Sequence, residues 1–326
     1  MSSADEIERA ANILRDGGIV AFPTETVYGL GADASNPTAV ARIYALKGRP
    51  SDHPVIVHLA AASQLRDWAL DPSPQALQLA DKFWPGPLTL VVRRAPHVSD
   101  AVTGGQDTVG LRVPAHPIAQ ALLHAFGGGV AAPSANRFGR VSATSAQHVR
   151  EEFGRELGCV LDGGECTVGI ESTIVDVSGK QPMLLRPGGI GVDALERTLG
   201  ATVAMPGHSA PRAPGRLKAH YAPATPLMLV EPDVAPELIR SLARQDKRVA
   251  VLSFSAMRPL LPGLTWLACV PDVERYAHDL YANLRAADAS GSEVIVVERP
   301  PARPEWAAVL DRLTRAAAGS SGPDTP

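Results

Sequence analysis

The segment Lys47-Gly48-Arg49-Pro50 places two cations close together in a polar loop. Lysine supplies a compact charge and arginine a planar fork, and both groups bind phosphate or carboxylate. A loop with two cations is more often a solvated surface than a binding site. By itself the segment is therefore only a weak indication of an anion site.

Arg112 is more informative because it interrupts the apolar strand predicted for residues 108–113. A buried guanidinium is costly without a partner, so Arg112 either pairs with a nearby carboxylate or receives a ligand. Thr108 lies on the same strand at an even spacing. Because alternate side chains of a strand share a face, the hydroxyl and the guanidinium are expected to point the same way.

Three further polar groups have local explanations. His58 lies within an apolar strand, where a core histidine is the usual interpretation, and no metal cluster follows from it. Ser134 and Asn136 follow another apolar strand and offer a hydroxyl and an amide suited to a nucleotide or an amino acid, although both are also common turn residues. The glycine segments 162–164 and 169–173 match neither a P-loop nor a Rossmann fingerprint, and no GxSxG surrounds Ser134. A Walker-type ATP site and an acyl-enzyme serine hydrolase are therefore not indicated.

The elements that position these groups alternate along the chain. Apolar periodicity predicts helices at about 4–15, 37–47 and 117–126. Short apolar runs predict strands at about 19–22, 54–59, 88–92, 108–113, 130–132, 172–177 and 183–186. Alternation of this kind indicates an α/β domain.

Prolines and glycines crowd between about Met205 and Thr225 and interrupt this pattern. Strands at about 227–230, 248–253 and 293–297, with helices at about 235–245 and 273–287, then predict a second, smaller α/β unit. The predicted organisation is a catalytic domain at 1–204, a linker at 205–225, a C-terminal domain at 226–318 and a disordered tail at 319–326.

Composition bounds the possible functions. The chain has 326 residues, of which 45% are hydrophobic and 20% charged, which predicts two ordinary globular domains. A net charge of -3 gives no global basic field for non-specific binding to nucleic acid. The three cysteines are scattered and form no CxxC pair, and neither a signal peptide nor a long apolar run is apparent. A cytoplasmic protein without a membrane segment is expected.

Five segments, in this order, closely resemble the YrdC-type threonylcarbamoyl-AMP synthases in the long form that carries an extra C-terminal domain. They are residues 22–31, 47–50, 133–136, 171–174 and 185–188. His220-Tyr221-Ala222-Pro223 also matches the linker signature of the long form. The resemblance implies a YrdC-like twisted mixed-sheet domain, a linker and a smaller Rossmann-like α/β domain. It further implies condensation of L-threonine, bicarbonate or CO2 and ATP into threonylcarbamoyl-AMP and pyrophosphate for a downstream tRNA threonylcarbamoyl transfer system.

By motif position, the resemblance also implies the roles of individual residues. The implied threonine site consists of Thr26, His58, Arg112, Ala132 and Ser172. The implied ATP site consists of Lys47, Arg49, His53, Thr108, Ser134, Asn136, Ser142, Arg186 and Tyr221, with Lys47 and Arg49 as the catalytic pair. Mg²⁺ is expected with ATP, and no protein side chain is assigned to a metal. His53 departs from the asparagine more usual at this position of the family.

Two other functions compete with this interpretation. One is a module that binds double-stranded RNA or tRNA without adenylate synthesis, which the acidic balance of the chain disfavours. The other is carbamoyl transfer of the maturation-factor type, in which a YrdC-like domain sits inside a much larger protein with zinc fingers. The chain has no cysteine pairs for such fingers.

Overall fold

The chain divides into two units of different architecture. The structure, a computed structural model, describes residues 2–207, 210–255 and 258–320. The first unit comprises Met1–Phe138 and Ser142–Arg216, and the second comprises Gly139–Val141 and Leu217–Pro326.

The segment predicted as a linker is shared between these units. Its residues up to Arg216 group with the first unit, and those from Leu217 group with the second. Of the tail predicted as disordered, Gly319 and Ser320 belong to the last helix. The rest of that tail, residues 321–326, lies outside the described residues.

The first unit is built on an eight-stranded mixed sheet with the order β1-β2-β6-β3-β5-β4-β7-β8. The strands are β1 Val20–Phe22, β2 Gly29–Asp33, β3 Ile56–His58, β4 Leu88–Arg93, β5 Thr108–Arg112, β6 Val130–Ala131, β7 Thr173–Asp176 and β8 Met183–Arg186. Two neighbouring pairs, β3 with β5 and β4 with β7, are parallel, and the other pairs are antiparallel. The predicted mixed sheet is confirmed.

Eight α-helices of the first unit surround this sheet in the described part of the chain. They are α1 Ala4–Arg15, α2 Pro37–Lys47, α3 Leu65–Trp68, α4 Pro74–Phe83, α5 Asp100–Thr103, α6 Pro117–Phe126, α7 Ala146–Phe153 and α8 Val192–Leu199. The ends of α2 matter for the site. Asn36 caps its start, and Gly48, at φ 63°, adopts the left-handed conformation that ends the helix directly after Lys47. Arg49 therefore lies just beyond a fixed helix terminus.

Strand register places the polar residues of the sheet on one face. In the parallel pair β3 and β5, His58 lies opposite Arg112, while Val57 lies opposite Leu111. Val57 and Leu111 belong to a fully buried apolar core on the other face. Thr108 shares the face of Arg112 because it lies four residues earlier on β5.

The same register extends across the sheet to its far edge. Thr89 on β4 lies opposite Ile174 on β7, and Ile174 lies opposite Arg186 on β8. Val91, opposite Gly110, also faces this side. A strip of one sheet face thus carries hydroxyl, imidazole and guanidinium groups among small and apolar residues.

The second unit contains a four-stranded sheet with the order β11-β10-β12-β9, in which every pair is parallel. Its strands are β9 Leu227–Val230, β10 Val249–Ser253, β11 Leu264–Ala268 and β12 Val294–Glu298. Its helices are α9 Ala235–Arg244, α10 Val273–Ala289 and α11 Ala307–Ser320. The predicted smaller α/β unit is confirmed.

Among the described residues, no helix combines the length and the apolar character needed to cross a bilayer.

Candidate active site

Arg112, the last residue of β5, is held through all three of its nitrogens. Nε donates to the carbonyl of Gly86 (3.2 Å), and Nη1 donates to Thr26 Oγ1 (2.8 Å). Nη2 lies 2.7 Å from Glu25 Oε1 in an ion pair whose side chains are 4% and 9% exposed. Of the two possibilities left open for Arg112, the carboxylate partner is therefore present.

The loop after β1 presents both of these partners. Thr24 Oγ1 accepts from the amides of Thr26 and Val27 (3.2 Å each) and donates to the carbonyl of Val27 (2.6 Å). A turn whose backbone is hydrogen-bonded to a side-chain hydroxyl is a local structure that threonine favours. The turn holds Glu25 and Thr26 so that both side chains contact the guanidinium of Arg112.

His58, at the end of β3, is a neutral buried imidazole. Burial, followed by repulsion from Arg112, lowers the pKa of His58 from 6.5 to about 3. Its ring packs edge-on against Phe22, with the ring centroids 5.9 Å apart. In the described part of the chain, the buried Nδ1 makes no hydrogen bond of good geometry, although the carbonyls of Ile56 and Val130 lie close enough to the ring to affect the pKa of His58. Such an atom is costly to leave unpaired, and a ligand group would satisfy it.

Ser172 joins three strands at the same end of the strip. Its hydroxyl lies 2.8 Å from Thr89 Oγ1. Arg186 Nη2 donates to Ser172 Oγ (3.1 Å) and to its carbonyl (2.9 Å), and Nη1 donates to the carbonyl of Pro214 (3.1 Å). Arg186 thus links Ser172 to the segment that follows the catalytic sheet.

Lys47 anchors a second group of predicted residues. Its ammonium donates to the carbonyls of Ser134 (2.6 Å) and Asn136. Burial lowers the pKa of Lys47 well below 10.5, and the nearby charge of Arg49 lowers it further. The two carbonyls fix the ammonium at the turn after β6, and an anion bound beside it would raise the pKa of Lys47 again.

Arg49 and His53 share one aromatic neighbour. Arg49 Nη2 donates to the carbonyl of Pro54 (2.9 Å), and its guanidinium carbon lies 5.8 Å from the Phe138 ring centroid. The His53 ring lies 5.5 Å from the same ring. Burial and the charge of Arg49 lower the pKa of His53. A neutral imidazole therefore lies beside the guanidinium.

Thr108 lines a shallow, open depression on the same sheet face. Its floor is apolar, with Ile56, Val91 and Ile174, and Gly110 contributes no side chain. At its rim, Gln106 pairs twice with the backbone of Arg212: the amide of Arg212 donates to Gln106 Oε1 (2.6 Å), and Gln106 Nε2 donates to the carbonyl of Arg212 (3.2 Å). The first part of the predicted linker therefore forms one wall of this depression.

The family follows from comparison with known proteins. The Sua5/YciO/YrdC family, described as "Telomere recombination", matches residues 12–188. A second family, described as "Threonylcarbamoyl-AMP synthase, C-terminal domain", matches residues 190–318. The chain belongs to the Sua5/YciO/YrdC family.

Relatives that match over nearly their full length carry one name. A threonylcarbamoyl-AMP synthase of Pyrococcus abyssi is 41% identical, with 95% of this chain and 94% of the relative covered. One of Bacillus subtilis is 40% identical, with 96% and 93% covered. The crystal structure of P. abyssi Sua5 complexed with L-threonine superposes with a TM-score of 0.91 at 38% identity, covering 98% of this chain and 96% of that one. Both units of this chain thus have counterparts in Sua5 proteins.

Within this Sua5-type chain, the predicted site residues fall into two groups. Thr26, His58, Arg112 and Ser172 lie at one end of the sheet strip, whereas Lys47, Arg49, His53, Thr108, Ser134 and Asn136 lie towards the other. Two other residues assigned to ATP contact the segment around Ser172: Arg186 bonds Ser172, and Ser142 Oγ donates to Glu171 Oε1 (2.6 Å). Their assignment to ATP stays a prediction.

Two other predicted residues are placed differently. The amide of Ala132 donates to the carbonyl of Ile56 (2.8 Å), so a backbone contact to a ligand would have to use its carbonyl. Tyr221 belongs to the second unit, where its ring stacks on Tyr281 with centroids 5.8 Å apart and lies 5.3 Å from the guanidinium carbon of Arg312. Its assignment to ATP stays a prediction.

Sequence reasoning gave no role to several residues that hold this Sua5-type site together. Glu25 and Glu171 stood inside quoted motifs, and Thr89 was the one hydroxyl in an otherwise apolar strand. The signal that singled out Arg112, a polar residue within an apolar run, also applied to Thr89. Gln106 had no signal in the sequence, because its role depends on the distant segment around Arg212.

Proposed function

We propose that this chain is an L-threonylcarbamoyladenylate synthase, which condenses L-threonine, bicarbonate or CO2 and ATP into threonylcarbamoyl-AMP and pyrophosphate. One observation carries the proposal. A guanidinium site at Arg112 lies at one end of a sheet face, and Lys47 and Arg49 bond the backbone of Ser134 and Pro54 beyond the other end of that face, where Pro54 and Thr108 line the same depression. Thr108 and Arg112 are four residues apart on β5, about 13 Å along a strand.

The Arg112 end fits the carboxylate of an amino acid. A guanidinium has five N–H groups, and here one on Nε and one on Nη1 have protein acceptors. Nη2 has an ion-pair partner but makes no well-directed hydrogen bond in the described part of the chain. N–H groups on both terminal nitrogens are therefore left for a bidentate carboxylate. The neutral His58 beside them suits the hydroxyl or amine of threonine rather than a second anion.

The Lys47 end fits a triphosphate. Lys47 supplies a compact charge and Arg49 a planar fork, and both side chains are buried, at 2% and 8% exposure. Charges held in place and away from water stabilise developing negative charge more strongly than solvated ones do. The apolar residues beside Thr108 offer a surface against which the base or ribose of the nucleotide could pack.

Mg²⁺ enters this proposal as part of the ATP complex. No group of three or more His, Cys, Asp or Glu side chains that could hold a metal ion occurs among residues 2–207, 210–255 and 258–320. Magnesium commonly takes substrate phosphates, waters and only one or two carboxylates.

The reaction follows from holding both substrates on one face. The deprotonated amine of threonine attacks the carbon of CO2, and its nitrogen releases a proton to solvent as the carbamate forms. Where bicarbonate is the source, one proton is taken up as it loses water to give CO2, which balances the proton released by the amine. A carbamate oxygen then attacks the α-phosphorus of ATP while the bond to the bridging oxygen of the β-phosphate breaks, and pyrophosphate leaves. The protein contributes orientation and charge stabilisation to these steps. We further propose that a separate tRNA threonylcarbamoyl transfer system consumes the product.

Binding of RNA by itself has less physical support. The cations of the candidate site are at most 8% exposed, and a duplex backbone contacts side chains that reach the surface. No observation on the described residues favours this alternative over adenylate synthesis.

Product analysis tests the proposal directly. Incubation with ATP, bicarbonate, L-threonine and Mg²⁺ should yield threonylcarbamoyl-AMP, detected by mass spectrometry, together with equimolar pyrophosphate. Pyrophosphate release that does not depend on threonine, or no adduct at all, would refute it.

A single methyl group tests the depression. A Cβ at Gly110 would lie 3.4 Å from Thr89 Cγ2 and 3.5 Å from Ile56 Cγ1, which are ordinary contacts, so Gly110→Ala should fold. We expect a raised KM for ATP with an unchanged KM for threonine. Gly179→Ala is the matched control, because nothing lies within 4 Å of its Cβ. Unchanged ATP kinetics in Gly110→Ala would remove the nucleotide from this depression.

A further inference from the structure

Glu25 is a buried carboxylate to which the site described above gives no role of its own. The residue is 7% exposed. Oε2 accepts from the amide of Ala115 (3.0 Å), Oε1 lies 2.7 Å from Arg112 Nη2, and its carbonyl accepts from the amide of Val168 (2.7 Å). The carboxylate is therefore fixed from two sides before any substrate binds.

These contacts determine how Arg112 can meet a ligand. A guanidinium is planar, so partners on its three nitrogens fix both its position and the direction of its plane. Gly86 and Thr26 accept hydrogen bonds from Nε and Nη1, and Glu25 attracts Nη2 in an ion pair that is not a well-directed hydrogen bond. Without Glu25, the terminal nitrogen that a bidentate carboxylate needs would lose its anchor.

The charge of Glu25 also changes which anions Arg112 can accept. Glu25 and Arg112 are both buried, so their charges offset one another in a region of low effective dielectric. An amino acid brings one carboxylate together with an ammonium, which a neighbouring carboxylate tolerates. A phosphate brings up to two negative charges and no cation, and the same carboxylate repels it.

We propose that Glu25 is a positioning and specificity-determining residue that acts through Arg112. It aligns the guanidinium for the carboxylate of an amino acid and keeps phosphate groups out of this end of the strip. The inference rests on the proposed function, since it takes threonine as the amino acid and ATP as the source of competing phosphates.

Two substitutions in the full chain separate alignment from charge. In Glu25→Gln, the side-chain NH2 group must face either an N–H of Arg112 or the backbone N–H of Ala115. In both cases two hydrogen-bond donors point at each other with no acceptor between them. We expect the KM for threonine to rise about tenfold, as for one misaligned charge-assisted hydrogen bond, with the KM for ATP within about twofold. Inorganic phosphate should become a competitive inhibitor against threonine. Glu25→Asp, which keeps the charge but shortens the reach, should raise the KM for threonine without gaining phosphate inhibition.

Asp176→Asn is the matched control. This carboxylate is also buried, but it accepts from the amide (2.9 Å) and the hydroxyl (2.6 Å) of Ser178, so its loss should change neither KM nor inhibition by phosphate. If Glu25→Gln changes the KM of both substrates equally, or leaves phosphate without effect, the inference is wrong. Calorimetric titration with threonine and with inorganic phosphate gives the same comparison independently of turnover. Failure of the wild-type chain to make the adenylate would count against the proposed function alone.

Discussion

The two ends of the sheet strip hold their cations in different ways. Arg112 has a carboxylate partner, Glu25, and a hydroxyl partner, Thr26. Lys47 instead contacts the carbonyls of Ser134 and Asn136, and among the described residues no carboxylate lies within ion-pair distance of its ammonium. The first arrangement leaves little net charge but a fixed geometry. The second has only carbonyl dipoles as hydrogen-bond partners, and burial, followed by the charge of Arg49, lowers the pKa of Lys47.

This difference indicates what each end recognises. A paired guanidinium discriminates by shape and direction, which suits an amino acid of no net charge. A buried ammonium without a carboxylate gains most when an anion arrives, which suits a polyphosphate. One sheet face can therefore bind two substrates of very different charge without exchanging their places.

Arg112→Ala should produce the largest effect. We expect the KM for threonine to rise roughly ten- to hundredfold while ATP affinity stays within about twofold, because a charge-assisted pair contributes about 1.5 to 3 kcal/mol. Glu25 would also lose its counter-ion, so Arg112→Lys is the necessary control, since it keeps the charge but not the fork. Calorimetric titration with each substrate measures both affinities. An equal loss for ATP would erase the distinction between the two ends.

His58 provides a test of the threonine end that depends on pH. Its pKa is about 3 in the folded protein and about 6.5 when unfolded, so only the unfolded chain takes up the proton between these values. Its contribution to stability is therefore complete above pH 6.5 and lost as the pH falls towards 3. Between pH 7 and pH 5 the wild type should lose about 2 kcal/mol more than His58→Asn. Urea unfolding at both pH values measures this difference. If the wild type and His58→Asn lose the same unfolding free energy between pH 7 and pH 5, His58 is in a solvated environment.

Arg49→Lys tests the geometry of the nucleotide end. The substitution keeps the charge but removes the planar fork, so we expect kcat/KM for ATP to fall about tenfold with threonine affinity unchanged. Steady-state pyrophosphate release at varied ATP gives the values. If Arg49→Lys turns over at the wild-type rate, the nucleotide end requires only a positive charge at this position. The two ends would then differ more than proposed, because only the threonine end would depend on the geometry of a guanidinium.

Lys47 gives the smallest but most specific signal. Because its pKa is lowered in the free protein, an arriving triphosphate should raise it and draw in a proton at alkaline pH. Titration of ATP near pH 9 in two buffers of different ionisation enthalpy should show uptake of up to one proton. Lys47→Met should abolish the uptake, and threonine should cause none in the wild type. Proton uptake with threonine would contradict the assignment of the two ends.

Much of the fold was readable from local sequence. The helices at 37–47 and 117–126 and the strands at 183–186 and 227–230 have the predicted bounds. Strand β2 was not predicted, because Gly29 and Gly31 are poor strand formers. The structure shows why glycine is needed there: a Cβ at Gly31 would lie 2.8 Å from the Phe22 ring. Close packing between strands is invisible to local propensity.

The site divides in the same way. The sequence by itself determined which residues carry charge or hydroxyls within apolar strands, because alternation and the cost of burying a guanidinium are local facts. Only the tertiary structure decided how strands that are distant in the chain align with each other. That alignment places His58 of β3 opposite Arg112 of β5. The choice of Glu25 as the partner of Arg112 was decided there too, because an ion pair depends on distance in space and these residues are far apart in sequence.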